Sequence, residues 1–509
     1  MSLAVIYTRA SIGMNAPAVT VEAHISNGLP GLTMVGLPET AVKESRDRVR
    51  SALINSGFQY PVKKITINLA PADLPKESGR YDLAIAIAIL AASEQIPTTR
   101  LNEFEFLGEL ALSGCLRHIS GAIIATQEAI IKNRILILSV DNKAELNLLP
   151  DNSAYFAEHL LDICYFLADN HALSGNILLK NPTCTQNQYD DVSEIIGQEQ
   201  GKRVLEISAA GGHNLLLLGP PGTGKTMLAS RLISLLPPLT PQEALEVTAI
   251  HNLNERVSLH GNEWPDRPFR SPHHSASIAA IIGGGSLPKP GEISLAHHGI
   301  LFLDELPEFQ RKVLDSLREP LESHKIIISR AKAKVTFPAK FQLIAALNPS
   351  PTGYYEGNYQ RSTPTQMLRY LSRISGPFID RFDLSIEIPL LPLGTLSQPN
   401  IATESSSTIK QRVSAARIKQ IARGGKINGL LSGKETSNLC QLKPEDAFFL
   451  ESALNKLGLS IRAWHKILRV SRTIADLNEE KNIEKLHLLE ALSYRAMDRL
   501  LLHLQQQVS

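Results

Sequence analysis

Eight residues near the middle of the chain constrain it most. Gly219-Pro220-Pro221-Gly222-Thr223-Gly224-Lys225-Thr226 fits G-x-x-x-x-G-K-[ST]. The apolar run Leu215–Leu218 precedes it and the helical pattern Met227–Leu235 follows it, so the motif lies where a strand turns into a helix. The glycines let backbone N–H groups turn inward around phosphate, and the helix N-terminus adds a favourable dipole. Lys225 is placed to reach the β- and γ-phosphates, and the Thr226 hydroxyl to ligate Mg²⁺. ATP and Mg²⁺ are therefore the expected ligands.

A second element, Gly299-Ile300-Leu301-Phe302-Leu303-Asp304-Glu305, has its Asp304 79 residues after Lys225. An apolar run ending in two acids reads as a buried parallel strand with carboxylates at its C-terminal edge, where open α/β sheets bind ligands. Asp304 is expected to hold Mg²⁺, directly or through water, and Glu305 to polarise the attacking water. A third run, Phe341–Leu347, ends at Asn348. This amide can orient the water or sense the γ-phosphate; it can also simply open the Asn348-Pro349 turn.

The 509 residues suffice for about three domains at ~150 residues each. Residues 1–165 alternate β-rich and helical runs and read as one α+β domain. They include the strands Val19–Ile25 and Ile65–Leu69, the helix Lys43–Gly57, a buried helix within Ser78–Ala92, and a hairpin over Phe104–Ile119. Residues 166–190 are polar and read as a linker. Residues 191–392 alternate helix and apolar strand, which predicts a parallel sheet with helices on both faces. A second linker, 393–408, leads to a helical region, 409–509. The scattered cysteines, Cys115, Cys164, Cys184 and Cys440, include no CxxC, which argues against a disulfide framework. The longest apolar run, Leu83–Ala92, is half a bilayer span, and no leader pattern opens the chain. A cytoplasmic protein without a membrane partner is expected.

Further segments narrow the assignment. Arg270-Ser271-Pro272-His273-His274 and Gly283-Gly284-Gly285 lie between the two ATP motifs, and His297-His298-Gly299 leads into the acidic strand. Ser375-Gly376-Pro377-Phe378-Ile379-Asp380-Arg381-Phe382-Asp383 follows the Asn348 strand, and Leu459-Ser460-Ile461-Arg462-Ala463-Trp464-His465 lies in the C-terminal helices. With the ATP motifs, this set resembles the ComM/YifB family of AAA+ ATPases, related to magnesium chelatase ATPase subunits and MCM helicases, over essentially the whole chain. The resemblance implies a multidomain α/β protein: a Lon protease-like (ribosomal S5 domain 2-like) α+β N-terminal domain, an AAA+ P-loop parallel-sheet core and a helical C-terminal lid. It implies a homo-hexameric ring acting on single-stranded and branched DNA, a helicase driving branch migration in natural transformation. Arg381 matches an arginine finger reaching the neighbour's ATP; read alone, beside Asp380 and Asp383, it can equally be an ion-pair residue. Arg462 matches a sensor arginine touching the γ-phosphate, in cis or in trans. Ile196-Gly197-Gln198 resembles the loop near the nucleotide base.

Two departures matter. Many relatives carry four cysteines after the Asn348 strand, whereas here Ser350 and Thr352 stand at the first pair and no cysteine follows to Arg373. A structural zinc is not expected. The N-terminal domain has Leu74-Pro75-Lys76-Glu77-Ser78-Gly79, similar to the loop before the Lon nucleophile, but no lysine follows Gly121 until Lys132. The scaffold is expected without its Ser–Lys chemistry, with Lys76 and Ser78 as the residual alternative.

The 52 lysines and arginines against 50 aspartates and glutamates leave +2, so DNA contact has to come from local patches. His324–Lys340 carries Lys325, Arg330, Lys332, Lys334 and Lys340 without an acid. It reads as a hairpin with its turn at Arg330–Ala333. In the family this hairpin projects into the ring's pore, placing Lys332 and Lys334 against the DNA backbone; the bland alternative is an edge protected by lysines. Lys410–Lys434 is a second basic patch. Neighbouring histidines on one strand point to opposite faces, so neither His273-His274 nor His297-His298 is expected to share a metal. A chelatase-like remodeller of a protein partner and an ATP-dependent protease are the rival readings.

Overall fold

The period-2 runs near the N-terminus form strands β1 (Ser2–Arg9), β2 (Ala18–Ser26), β3 (Gly31–Val35) and β4 (Lys64–Ala70) in a sheet of order β1-β2-β4-β3. The computed structural model describes residues 2–36, 40–74, 76, 79–178, 183–184, 189–254, 263–286, 288–330, 333–353, 362–392, 403–456, 458 and 460–508. Helix α1 (Thr40–Asn55) packs on helix α2 (Asp82–Ala92), which lies against β1 and β2 of this sheet. Every residue of α2 is buried, as a helix apolar on all sides requires.

A second sheet holds β5 (Phe104–Phe106), β6 (Ile135–Ser139), β7 (Ala154–Ala157) and β8 (Ser174–Gly175), with helix α3 (Ala122–Ile131) between β5 and β6. The hairpin expected over Phe104–Ile119 is shorter: only Glu109–Leu110 pairs with Leu116–Arg117, while β5 pairs parallel to β6. Burial of both Phe104 and Phe106 draws β5 into the sheet rather than the hairpin. Part of the 166–190 stretch is also ordered here. Buried Asn176 accepts from Ala154 N at 3.0 Å and donates to Leu146 O at 3.0 Å and Pro150 O at 2.8 Å, so a polar residue anchors β8.

The central region alternates helix and strand. In chain order it contains α4 (Glu199–Gly211), β9 (Leu215–Leu218), α5 (Lys225–Leu235), α6 (Pro241–Asn252), β10 (Phe269–Arg270), α7 (Ile278–Ile282), β11 (Ile300–Leu303), β12 (Lys325–Ser329), β13 (Lys334–Pro338), β14 (Gln342–Leu347) and β15 (Leu384–Glu387). Five of these strands form one parallel sheet of order β10-β11-β14-β9-β15. Alternate side chains enter two different cores. Leu215, Leu217, Ile300, Phe302, Ile344 and Ala346 face one, and Leu216, Leu218, Leu301, Leu303, Leu343 and Ala345 the other. Burial on both faces explains why these strands read as continuous apolar runs.

The C-terminal region is helical from α8 (Ser406–Gly424) through α9 (Ile461–Leu477) to α10 (Ala496–Val508). It is tied to the sheet edge, since Tyr494 O accepts from Ser385 N at 2.8 Å and Met497 N donates to Ser385 Oγ at 3.0 Å. Among the described residues no helix is long and apolar enough to cross a membrane.

The N-terminal unit docks on the core at two points. Asn252, ending α6, accepts from Gly121 N at 2.6 Å and Ala122 N at 3.1 Å, capping α3, and its amide donates to buried Glu145. The Ile12–Asn15 turn lies on the β12–β13 hairpin: a Cβ at Gly13 would fall 2.0 Å from Val335 Cγ1, so only glycine fits there. Asn252→Ala leaves buried N–H groups without an acceptor and is expected to cost about 1–3 kcal/mol. Thermal unfolding checks this; an unchanged midpoint would show that the junction contributes no stability.

Candidate active site

The parallel sheet brings its strand C-termini to one edge, and the loops leaving them line a cavity of about 430 Å³. Its walls are Pro221, Gly222, Thr223, Gly224, Lys225, Thr226 and Met227 from the loop after β9, Asp304 and Glu305 after β11, and Leu347 and Asn348 at the end of β14. The size falls within the usual range for small-molecule sites. Gly219 packs so closely on the chain after β15 that a Cβ would lie 2.4 Å from Ile388 O. Gly224, at φ +87°, turns the chain into α5. Gln198, from the Ile196–Gln198 loop, donates to Thr223 O at 3.5 Å and Pro389 O at 2.8 Å, bracing the phosphate loop from outside.

Lys225 is folded onto its own loop. Its Nζ donates to Gly219 O and Pro220 O, both at 2.8 Å, and to Asn348 Oδ1 at 3.0 Å. Burial pushes its ammonium below the ordinary lysine range, while the Asp304 carboxylate opposes that shift. A triphosphate would replace the two carbonyls with charged acceptors. Thr226 Oγ1 donates to Asp304 Oδ2 at 2.7 Å, and Glu305 N to Asp304 Oδ1 at 2.9 Å. Two oxygen ligands side by side suit the first shell of Mg²⁺, which keeps most of its waters and takes the rest from phosphate. Glu305 sits at φ +51°, uncommon for a non-glycine residue, at the rim of this cavity.

Two arginines lie elsewhere. Arg381 precedes β15, at the opposite edge of the sheet, where Nη2 approaches Glu322 Oε1 at 2.5 Å and Nε has no hydrogen-bond partner among the described residues. A strand of four residues at ~3.3 Å each puts at least about 13 Å between that edge and the phosphate loop. The Arg381 segment is held by the lid: buried Lys466 on α9 donates to Asp380 O and to Phe382 O at 3.0 Å. Arg462 is exposed on the first turn of α9, outside the cavity lining.

The basic hairpin forms, with Arg330 N bonded to Ala333 O at 2.9 Å across its turn. Ile326, Ile328, Val335 and Phe337 face inward, and Lys325, Ser329, Lys334 and Thr336 are exposed. Lys332 lies outside the described residues. Among those described, no ion pair engages Lys325, Arg330 or Lys334. The second patch is largely neutralised. Arg412 pairs with Glu206 and Glu404, Lys419 with Glu479, Arg423 with Asp476 and Lys426 with Glu435, while Arg417 donates to Ala209 O.

The histidine pairs differ from the alternating-strand expectation. His298 sits at φ +56°, off any strand, so His297 and His298 stack with ring centroids 4.0 Å apart. Both Nε2 atoms reach Glu246 Oε2, at 3.1 and 2.8 Å. This is not a good cation site, because His297 Nδ1 accepts from Lys340 N at 3.0 Å. The neutral ring must then carry its proton on Nε2, the atom a metal would need. In the N-terminal unit, Lys76 is fully buried and donates to Gly36 O at 3.1 Å, Leu74 O at 3.2 Å and Pro71 O, and burial holds its ammonium below the ordinary lysine range. Ser78 lies outside the described residues. Ser350 Oγ and Thr352 Oγ1 lie 3.1 Å apart, a contact between two hydroxyls.

Residues 191–396 match the family model described as magnesium chelatase, subunit ChlI, residues 403–495 its C-terminal part, and residues 21–142 a model of subunit ChlI of Mg-chelatase. The chain is 60% identical to YifB of Escherichia coli over 99% of both chains. It is 57% identical to the competence protein ComM of Haemophilus influenzae over 98% of this chain and 99% of that one. A weaker match, 24% identical, covers 30% of this chain and 29% of Lon protease 2 of Bacillus subtilis.

Lys225→Ala removes the cation facing the phosphates and is expected to abolish nucleotide binding or turnover. Glu305→Gln leaves Thr226 and Asp304 in place, so ATP binding should persist while hydrolysis falls by at least about a hundredfold. Equilibrium binding of a fluorescent ATP analogue beside phosphate release checks both; parental turnover in Glu305→Gln would remove Glu305 from the chemistry.

Proposed function

Because this chain belongs to the ComM/YifB family of magnesium chelatase-type AAA+ ATPases, we propose that it is an ATP-driven DNA motor of the ComM type. In this reading six copies form a cytoplasmic ring on single-stranded and branched DNA, and the motor promotes branch migration while transforming DNA is integrated. The observation that carries the DNA assignment is the hairpin: its exposed cations are unpaired among the described residues, whereas four of the seven cations in the other basic patch are paired with acids.

The chemistry follows from the cavity. Thr226 and Asp304 would hold Mg²⁺, which would supply charge neutralisation at the β- and γ-phosphates. Lys225 exchanges its loop carbonyls for phosphate oxygens. Glu305 takes the proton from a water that attacks the γ-phosphorus as the bond to ADP breaks, and Asn348 orients that water. Arg381, at the far edge of its own sheet, reaches a nucleotide only in the neighbouring subunit. Arg462, on the exposed first turn of α9, acts as a second γ-phosphate sensor. Translation of the hairpins along the backbone follows each turnover.

A chelatase-like remodeller shares this ATPase but needs no DNA, so stimulation of ATP turnover by DNA separates the two. The decisive experiment is ATP-dependent processing of a four-way junction against a simple fork. Resolution of the junction is expected; unwinding confined to the fork would replace branch migration with plain helicase action. Casein should remain intact in the presence of ATP.

Lys332→Ala/Lys334→Ala should retain rings and DNA-free ATPase activity, while DNA-stimulated turnover falls to roughly the DNA-free level. Phosphate contacts release counterions, so the slope of log affinity against log salt should flatten by about one per lost contact. Unchanged stimulation and slope would leave these lysines as edge protection only. Arg381→Ala should bind ATP without hydrolysing it, and mixing it with Lys225→Ala subunits should restore turnover at composite interfaces. No recovery on subunit exchange would count against action in trans.

A further inference from the structure

Burying an ammonium costs free energy, and the lid nevertheless buries one. Lys466, on α9, is 8% exposed, and burial pulls its ammonium down to about 8 against the opposing pull of the Asp383 carboxylate. That carboxylate is itself engaged by Arg469 at 3.2 Å. Lys466 Nζ donates instead to main-chain oxygens, Asp380 O and Phe382 O, the latter at 3.0 Å. These are the carbonyls on either side of Arg381. An apolar side chain of similar volume would fill the space without the desolvation cost, so the cation answers a need of that segment.

The need is visible in the backbone. The one-turn helix Gly376–Ile379 is closed by Asp380, Arg381 and Phe382, whose N–H groups donate to Gly376 O, Phe378 O and Ile379 O. No further turn follows, so the carbonyls of the closing residues lack helical donors. Lys466 supplies two of them, and Asn214 Nδ2 donates to the third, Arg381 O, at 3.0 Å. The backbone around Arg381 is thus fixed from outside, by the lid and by the residue before β9. Its side chain is not: Nη2 approaches Glu322 Oε1, and the buried Nε has no hydrogen-bond partner among the described residues. A fixed backbone under a guanidinium with incomplete hydrogen bonds suits a group whose acceptor lies in another chain.

We infer that Lys466 is a positioning residue for Arg381: from the lid of one subunit it sets the guanidinium that completes the nucleotide site of the next. This rests on the reading of Arg381 as acting in trans. Loss of Lys466 then lowers turnover at the neighbour's nucleotide and leaves nucleotide binding in its own chain intact.

The test uses full-length Lys466→Met, which keeps an unbranched side chain of similar length and removes its donors. Affinity for a fluorescent ATP analogue should stay within about twofold of the parent, because the phosphate loop is untouched. Turnover should fall by roughly ten- to a hundredfold, the scale of a reacting group misplaced by about an ångström. Mixing then locates the defect. Lys225→Ala subunits bring an intact Lys466 and Arg381 to the nucleotide of a Lys466→Met neighbour, so turnover should recover. Arg381→Ala subunits bring no guanidinium, and their own nucleotide meets a misplaced one, so turnover should stay low. A lysine acting on its own chain's nucleotide gives the opposite pattern, recovery with Arg381→Ala and none with Lys225→Ala, and that result overturns the inference. Unchanged turnover in folded Lys466→Met overturns it too. If Lys466→Met does not fold, Lys466→Gln, one bond shorter and still polar, must show the same fall and the same mixing pattern. Arg381→Ala mixed with Lys225→Ala separates the causes of failure. Recovery there beside none for Lys466→Met removes only the positioning role. No recovery there removes the action of Arg381 in trans, and the inference with it.

Discussion

Five strands running in one direction set the layout of the whole molecule. A parallel ladder buried on both faces has to begin every strand at one edge and end every strand at the other. Gly219–Thr226, Asp304, Glu305 and Asn348 all follow strand C-termini and so meet around one cavity. Arg381 precedes β15 and His298 precedes β11, so both stand at the opposite edge. Neither could join the phosphate site of its own chain without reversing a strand. The separation between nucleotide loop and Arg381 is thus a property of topology rather than of side-chain choice.

The lid completes this arrangement through buried charge. Lys466 donates to the backbone on both sides of Arg381, and Arg469 pairs with Asp383 at 3.2 Å. Asp383 is fully buried, which alone would raise its pKa, yet Arg469, His213 and Lys466 hold its carboxyl well below the usual range. Removing one partner from such a group leaves an uncompensated buried charge. The helix carrying Arg462 is therefore tied to the segment carrying Arg381.

Local motifs made much of this legible. The phosphate loop, the acidic strand end and Asn348 each carry their chemistry within a few consecutive residues, and two-sided burial shows as unbroken apolar runs. What sequence missed depends on distant partners or on backbone conformation. The acids neutralising Lys410–Lys434 include Glu206, Asp476 and Glu479, far away in the chain. The His297–His298 stack needs the positive φ of His298, which no alternating pattern foretells. Met227 lines the cavity simply because it follows Thr226 on the first turn of α5.

The seat of the hairpin on the Ile12–Asn15 turn has a mechanical meaning. A two-stranded arm seated at Val335 and Phe337 is a cantilever. Load at its tip becomes torque at its root, and a close-packed root transmits that torque rather than absorbing it. The glycine at position 13 lets the N-terminal unit sit flush against the root, so this unit backs the arm as an abutment.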